Sequence, residues 1–393
     1  MCGIDPCPLL AEVRRQLPQA NNISIEAMSG PSPPSIFVGR YGYPKVSVGP
    51  QATPLLDSTE GHLTPADPAE LYGRPLEEVA ARHASLVRGR HVSSVKAATR
   101  PDRVLATTQE VAMAAKDVDV EMEFEGKLAL GSSPTFDSLS SPLGHAIGVN
   151  GVEITSNPLI PKKVDSVIDE TDLLATDAVN ELGDAGIGEA HLTRLLSGGL
   201  LGTERRRRMV PTRWAITATD DMLSKQLFDK VREYPSIDKF EVYQAEYLDN
   251  HFSILLTPNP WAFEMVEVWM QGSLWADGTT AISDHEEGKP RTSYASNVTG
   301  AYYSARLGIM ESFEERRKFA SAFVWRDIGP GYWAPVGVWL IRETVRDAMR
   351  TEPKIFDSLD EAISNLSKEV SVPDRMRNSW FVKRGVQTRI SDW

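Results

Sequence analysis

The sequence predicts an α+β fold, with a mixed sheet in an N-terminal domain and a more helical, tryptophan-rich C-terminal domain. Three observations predict it. In "VDVEMEF" the apolar Val118, Val120, Met122 and Phe124 alternate with Asp119, Glu121 and Glu123, the two-residue period of a half-buried strand. In "LEEVAARHASLVR", from Leu76 to Arg88, apolar residues return instead at helical spacing. Strand and helix patterns then follow one another without the steady alternation that a doubly wound sheet requires.

Taken in order, Leu9 to Leu17 has the pattern of a short amphipathic helix, and "SGPSPP" further on is expected to break regular structure. Ser35–Val38 and Lys45–Val48 are strand-like and flank "GRYGYP", the composition of a hairpin tip. A helix from Arg103 to Lys116 runs into the Val118 strand, and residues 131 to 144 form a polar loop rich in Ser, Gly and Pro. Two helical patterns, "ETDLLATDAVNEL" and "GEAHLTRLL", are joined by "GDAGI". The run "RRRR" follows, then "RWAITAT", expected as a strand, and an amphipathic helix from Asp221 to Glu233. Strands are expected at "FEVYQAEYL", "FSILLT" and "FEMVEVWM". From "DHEEGKPRTSY" onward helices and Trp-rich turns are expected: "FEERRKFASAFVW", "IGPGYWAPVGVWLIRETVRDAM" and "SLDEAISNLSKEV". The expected division is therefore residues 1–20, a cysteine-containing segment; 21–275; 276–381; and a tail, 382–393.

Composition bounds the function. With 54 acidic and 42 basic residues the net charge is −12, which argues against indiscriminate coating of duplex DNA, because such binding rests on cations neutralising phosphates. DNA contact has to come from local basic patches. The two cysteines, both within the first seven residues, exclude a disulfide-stapled fold and suit a reducing cytoplasm. The N-terminal run "MCGIDPCPLLAEVRRQL" lacks the apolar core of a signal peptide, and no run approaches the ~20 apolar residues of a membrane span.

Three clusters carry chemistry. Arg40, Tyr41 and Tyr43 sit between glycines, where backbone can approach a ligand, a guanidinium can clamp phosphate and a ring can stack on a base. A Gly-containing hairpin turn whose tyrosines cover a core edge explains the same residues. Arg205, Arg206, Arg207 and Arg208, followed by Arg213, form the densest positive charge; they serve either a phosphate site or ion pairs with the many carboxylates. The helix pair ahead of them has the outline of a helix-turn-helix and equally of an ordinary helical hairpin. Asp102, Glu125 and Lys127 offer carboxylates and a lysine as in metal-dependent PD-(D/E)xK nucleases, and an acidic strand face accounts for them as well. "IGPGYWAPVGVWLIRE" is a second place for a site, and its large Tyr332, Trp333, Val338 and Trp339 read equally as core.

The last seven residues, "QTRISDW", set Gln387, Ile390 and Trp393 three apart. On one helical turn Ile390 and Trp393 form an apolar plug beside the Gln387 amide. This pattern resembles the motif that docks replication and repair proteins in a groove of the sliding clamp (PCNA). Together with "SPPSIFVGRYGYPKVSVGP", "RRRRMVPTRWAITATDD" and "GPGYWAPVGVWLIRE", it makes nearly the whole chain resemble the archaeal Nre family of DNA repair proteins. That resemblance implies a DNA-damage repair factor recruited to the clamp through Gln387, Ile390 and Trp393, cytoplasmic and nucleoid-associated. It leaves open whether the protein is a non-enzymatic adaptor or a metal-dependent enzyme on damaged DNA. The family's N-terminal four-cysteine, zinc-finger-like cluster is represented here by Cys2 and Cys7 alone. They are either half of a zinc set or two free thiols.

Overall fold

Side-chain alternation from Val118 onward has the expected consequence in the computed structural model, which describes residues 24–54, 68–129, 135–137, 140–273 and 278–387. Val118, Val120, Met122 and Phe124 are buried, and Glu121 and Glu123 are exposed. The strands before residue 160 are β1 (Ser24–Ser32), β2 (Ser35–Val38), β3 (Lys45–Ala52), β4 (Val87–Ser94), β5 (Val118–Ala129), β6 (Thr135–Asp137), β7 (Ser140–Leu143) and β8 (Ala146–Ile154). Six of them form one sheet in the order β1-β5-β8-β4-β3-β2, while β6 and β7 pair separately. Only β4 and β8 run parallel in it; the other neighbours are antiparallel. Helices α1 (Pro68–Leu71), α2 (Leu76–Ala84), α3 (Arg103–Met113), α4 (Lys162–Asp169), α5 (Ala175–Asp184) and α6 (Glu189–Ser197) accompany it, with a 3₁₀ turn at Val95–Thr99. Of these, α3 packs on β8 and β3, burying Val104, Leu105, Val111 and Ala112.

The segment "RWAITAT" is helix, not strand: it opens α7 (Thr212–Val231). Its Ile and Thr residues favour strand, but Pro211 precedes them and its carbonyl accepts the N–H of Ala215 at 3.0 Å. Ala215 and Thr219, four apart, are both buried, so tertiary packing overrides the local preference. The chain divides into two compact units, Met1–Met222 with Ala334–Val336, and Leu223–Trp333 with Gly337–Trp393.

In the second unit lie β9 (Phe240–Tyr247), β10 (Asn250–Thr257), β11 (Ala262–Trp269), β12 (Thr280–Glu287), β13 (Ser321–Ile328) and β14 (Lys354–Phe356). Their order is β12-β11-β13-β10-β9-β14, with β11 and β13 parallel. The change of sequence pattern near residue 275 falls between β11 and β12, which are neighbours in this sheet. Helices α8 (Gly300–Arg316), α9 (Trp339–Arg350), α10 (Leu359–Leu366), α11 (Pro373–Arg377) and α12 (Trp380–Gln387) complete the unit. One sheet face buries Val242, Leu255, Val266, Phe323 and Trp325 against Leu359, Leu366, Met376 and Phe381 of the last helices. On the other, Tyr302 of α8 meets Phe263 edge to face, with centroids 4.9 Å apart.

"FEERRKFASAFVW" is only half helical. At Arg317, φ is 53° and the residue is left-handed, which ends α8, and "SAFVW" opens β13, every residue of which is buried. A short continuous apolar run reads equally as buried helix or buried strand. The glycines of "IGPGYW" also have a structural reason. The Asp249 carboxylate accepts the Gly331 N–H at 2.6 Å, and a Cβ on Gly329 would lie 2.1 Å from that carboxylate. Beyond them Tyr332 and Trp339 are buried, and Trp333 and Val338 half-buried.

Candidate nucleic-acid interface

The "GRYGYP" stretch closes the hairpin that β2 and β3 form. Gly39 N–H donates to the Ser47 carbonyl at 2.8 Å, and Lys45 N–H to that of Gly42 at 2.9 Å. Gly42 has φ 82° and the Tyr43–Pro44 peptide is cis; a side chain at Gly42 would be strained there. The turn leaves Tyr41 77% and Tyr43 48% exposed. Arg40 lies over the Tyr41 ring, 5.0 Å from its centroid, and donates to its hydroxyl at 3.2 Å.

Two backbone bonds tie this tip to the arginine run. Val95 N–H donates to the Pro44 carbonyl at 2.9 Å, and Met209 N–H to the Val95 carbonyl at 2.9 Å. Gly199, with φ 72°, allows the approach, since a Cβ there would stand 2.7 Å from the Arg208 carbonyl carbon and 2.8 Å from Met209 N. Val38 N–H donates to Thr212 Oγ1 at 2.9 Å, fixing the first turn of α7 beside the hairpin. Trp214, on that turn, is 46% exposed and its ring meets Tyr43 with centroids 5.4 Å apart and planes tilted by 54°. Two motifs some 170 residues apart thus build one surface.

The arginines divide by role. Arg207 donates to the carbonyls of Gly202 at 2.7 Å, Ile168 at 2.6 Å and Glu170 at 3.0 Å. Burial pushes its pKa down, with Glu204 and Asp169 acting against that. It braces its loop and is not free to meet phosphate. Arg205, Arg206 and Arg208 are exposed, and among the described residues their guanidinium groups have no hydrogen-bond or ion-pair partner; Arg213, half-buried, likewise has none. From Thr203 to Trp214 there are five arginines against one acid, Glu204. The structure adds exposed Lys45 and Lys96, which sequence reasoning missed because isolated lysines carry no pattern. Helix α6 buries His191, Leu192, Thr193, Leu195, Leu196 and Ser197, so the helix pair is a packed hairpin without a free recognition face.

Asp102 is the N-cap of α3, accepting the Leu105 N–H at 2.9 Å, and it meets His91 Nε2 at 2.6 Å. Burial alone would raise its pKa, but the Leu105 N–H and His91 outweigh burial and hold it below the ordinary carboxylate value. Glu125 is exposed on β5, where the missing side chain of Gly148 makes room for its carboxylate. Lys127 pairs with Glu26 at 3.4 Å. Among the described residues no hydrogen bond or ion pair joins Asp102 to Glu125 or Lys127. The single His, Cys, Asp and Glu group there that comes within metal-binding reach is Glu246, Asp249 and His251, at the β9–β10 turn, where Asp249 already holds Gly331.

Of the clamp box, Ile390 and Trp393 lie outside the described residues, and Gln387 is the last residue of α12. Cys2 and Cys7 also lie outside them. Helix α12 is anchored by Glu264, which accepts the Phe381 N–H at 2.7 Å, beside a cleft of about 260 Å³ lined by Ser283, His285, Arg375 and Trp380. The His285 ring stacks on Trp380 at 4.2 Å. Burial, followed by Arg291, pushes the His285 pKa down, against the pull of Asp284 and Glu287. No described helix is long and apolar enough to cross a membrane.

Comparison with known proteins returns no solved structure that matches. Among curated sequences, the DNA repair protein NreA of Archaeoglobus fulgidus is 36% identical over 94% of this chain and 91% of its own length. NreB of the same organism, also named a DNA repair protein, is 36% identical over 98% of this chain and 96% of its own. The NreA of Haloferax volcanii is 35% identical over 94% and 89%. The N-terminal archaeal Nre family profile matches residues 1–276 and the C-terminal profile residues 286–393; on this coverage the chain belongs to the archaeal Nre family.

Proposed function

We propose that the protein is a DNA-damage repair factor that holds DNA on the surface formed by Arg40, Tyr41, Tyr43, Arg205, Arg206, Arg208 and Arg213. On this reading the sliding clamp (PCNA) recruits it through Gln387, Ile390 and Trp393. One observation supports the DNA contact above all. In a protein of net charge −12, exposed arginines without partners among the described residues share a surface with the Tyr43–Trp214 ring contact. Uncommitted guanidinium groups suit phosphate, and exposed rings suit bases. The names of the relatives supply the repair context, and the terminal box supplies the route to replicating DNA.

Replacing Arg205, Arg206 and Arg208 by Gln tests the DNA contact. Binding should weaken, and the slope of log K against log salt should flatten by roughly 0.7 to 0.9 for each phosphate no longer neutralised. Unchanged affinity and slope would remove the surface from consideration. Calorimetry of the clamp against wild type, Trp393→Ala and a chain ending at Val386 tests recruitment. Burying Trp393 contributes roughly 1.5 to 3 kcal/mol by transfer scales, so its loss should weaken binding about ten- to a hundredfold. Equal affinity in all three would make the box a coincidence.

A further inference from the structure

The arginines account for phosphate, but they do not account for the rings. Tyr41, Tyr43 and Trp214 are 77%, 48% and 46% exposed, and solvating large aromatics is unfavourable unless a partner covers them. A duplex does not cover them: along its length the π-faces of its bases are already stacked on one another. Unpaired bases offer those faces freely, and stacking on protein aromatics is the sequence-tolerant mode by which single strands are held. Resting on the DNA contact proposed above, we infer that this surface selects unpaired DNA over duplex, with bases stacked on Tyr41 and Trp214 and the backbone lying along Arg205, Arg206 and Arg208.

The ring geometry says which faces serve. Tyr43 and Trp214 are 5.4 Å apart and tilted by 54°. A base between two rings needs parallel planes about 7 Å apart, twice the contact distance of two π-faces, so nothing enters between this pair. Tyr43 instead abuts the indole, and Trp214, 46% exposed, keeps ring surface for a base. Arg40 plays the matching part at the tip, lying over Tyr41 at 5.0 Å while that ring stays 77% exposed. Each platform thus has a buttress, so little side-chain order has to be gained on binding.

Fluorescence anisotropy with a labelled oligothymidine and a blunt duplex of equal length, at one salt concentration, tests this. Wild type should favour the single strand. Tyr41→Ala and Trp214→Ala should each lower single-strand affinity about 5- to 150-fold, the range for loss of one stacked base, and lower duplex affinity by much less, so that the preference for the single strand shrinks. Trp214→Phe, which keeps a ring, should recover most of the loss, separating stacking from damage to the fold. If the two alanine variants bind the single strand as wild type does while the Arg-to-Gln variant loses binding, the DNA contact stands and stacking is wrong. If the Arg-to-Gln variant also binds unchanged, the DNA contact falls with it.

Discussion

The Glu264 carboxylate accepts the backbone N–H of Phe381 at 2.7 Å, so strand β11 fastens the first turn of the helix that ends at Gln387. Glu264 is buried, and burial raises its pKa, partly offset by the N–H groups of Phe381 and Trp380 and by the Ser283 hydroxyl. An acceptor at a helix N-terminus satisfies donors that the helix itself cannot. Glu264→Ala leaves them buried and unpaired, and should cost roughly 1 to 3 kcal/mol. A lowered thermal midpoint should be measured; an unchanged one would show that α12 is held by Phe381 and Val382 packing alone.

Arg306 and Glu286 form a buried ion pair at 2.7 Å. Ser224 Oγ accepts from the guanidinium at 3.0 Å, while Glu286 also accepts from Trp261 Nε1 at 3.1 Å and Arg291 N at 2.8 Å. Breaking such a pair strands a charge in the interior. Arg306→Met should destabilise by about 3 to 5 kcal/mol, and adding Glu286→Gln should restore part of it. Urea denaturation of both single variants and the double variant measures the coupling, and additive losses would deny it.

His191 is buried in α6 with its pKa lowered to about 4, by desolvation first and by Arg194 second, against a pull from the Met113 and Ala112 carbonyls. The folded protein keeps this imidazole neutral while the unfolded chain protonates near 6.5. Stability should therefore be unaffected above that pH. It should fall as pH drops from about 6.5 to 4, with a slope approaching 1.4 kcal/mol per unit for this one group. His191→Gln should flatten the curve in that window, and parallel curves would exclude His191 as a cause.

Asp102 separates a cap from a metal ligand. Asp102→Ala should cost about 0.5 to 2 kcal/mol, whereas Asp102→Asn, which still accepts from Leu105, should stay within a few tenths. The His91 contact adds little, because Asp102 is half exposed and such pairs are screened. DNA repair in cells carrying the Asn variant should be unaltered. Loss of repair without loss of stability would put the carboxylate back into catalysis.

What the sequence made legible was local. The alternation in β5, the hairpin around "GRYGYP" and the strands β9, β10 and β11 follow from period and turn chemistry. The cap was missed: Asp102 stands directly before an apolar run with helical spacing, but the sequence reading takes it as a metal ligand. Failures came where packing decides: α7 is rich in β-branched residues yet helical, and β13 is apolar throughout, so it has no period to read. The interface was half visible. Its arginines and tyrosines stand out as types, but their meeting depends on Val95 bridging Pro44 and Met209, three positions far apart in the chain. Nor does the run "RRRR" show that Arg207 is the one turned inward.

Strands β10 and β11 are separated by a four-residue link, Pro258 to Trp261, yet they are not neighbours, because β13 lies between them. On the ribosome this imposes a wait. Strand β11 is complete about fifty residues before β13 begins, and at roughly 5 to 20 residues per second that is an interval of about three to ten seconds. Throughout it β10 and β11 each carry an open edge toward the place β13 will fill, and they can pair wrongly with one another or with another nascent chain. Any message cut short before Ser321 leaves both edges open for good, so β13 is the strand that closes this sheet.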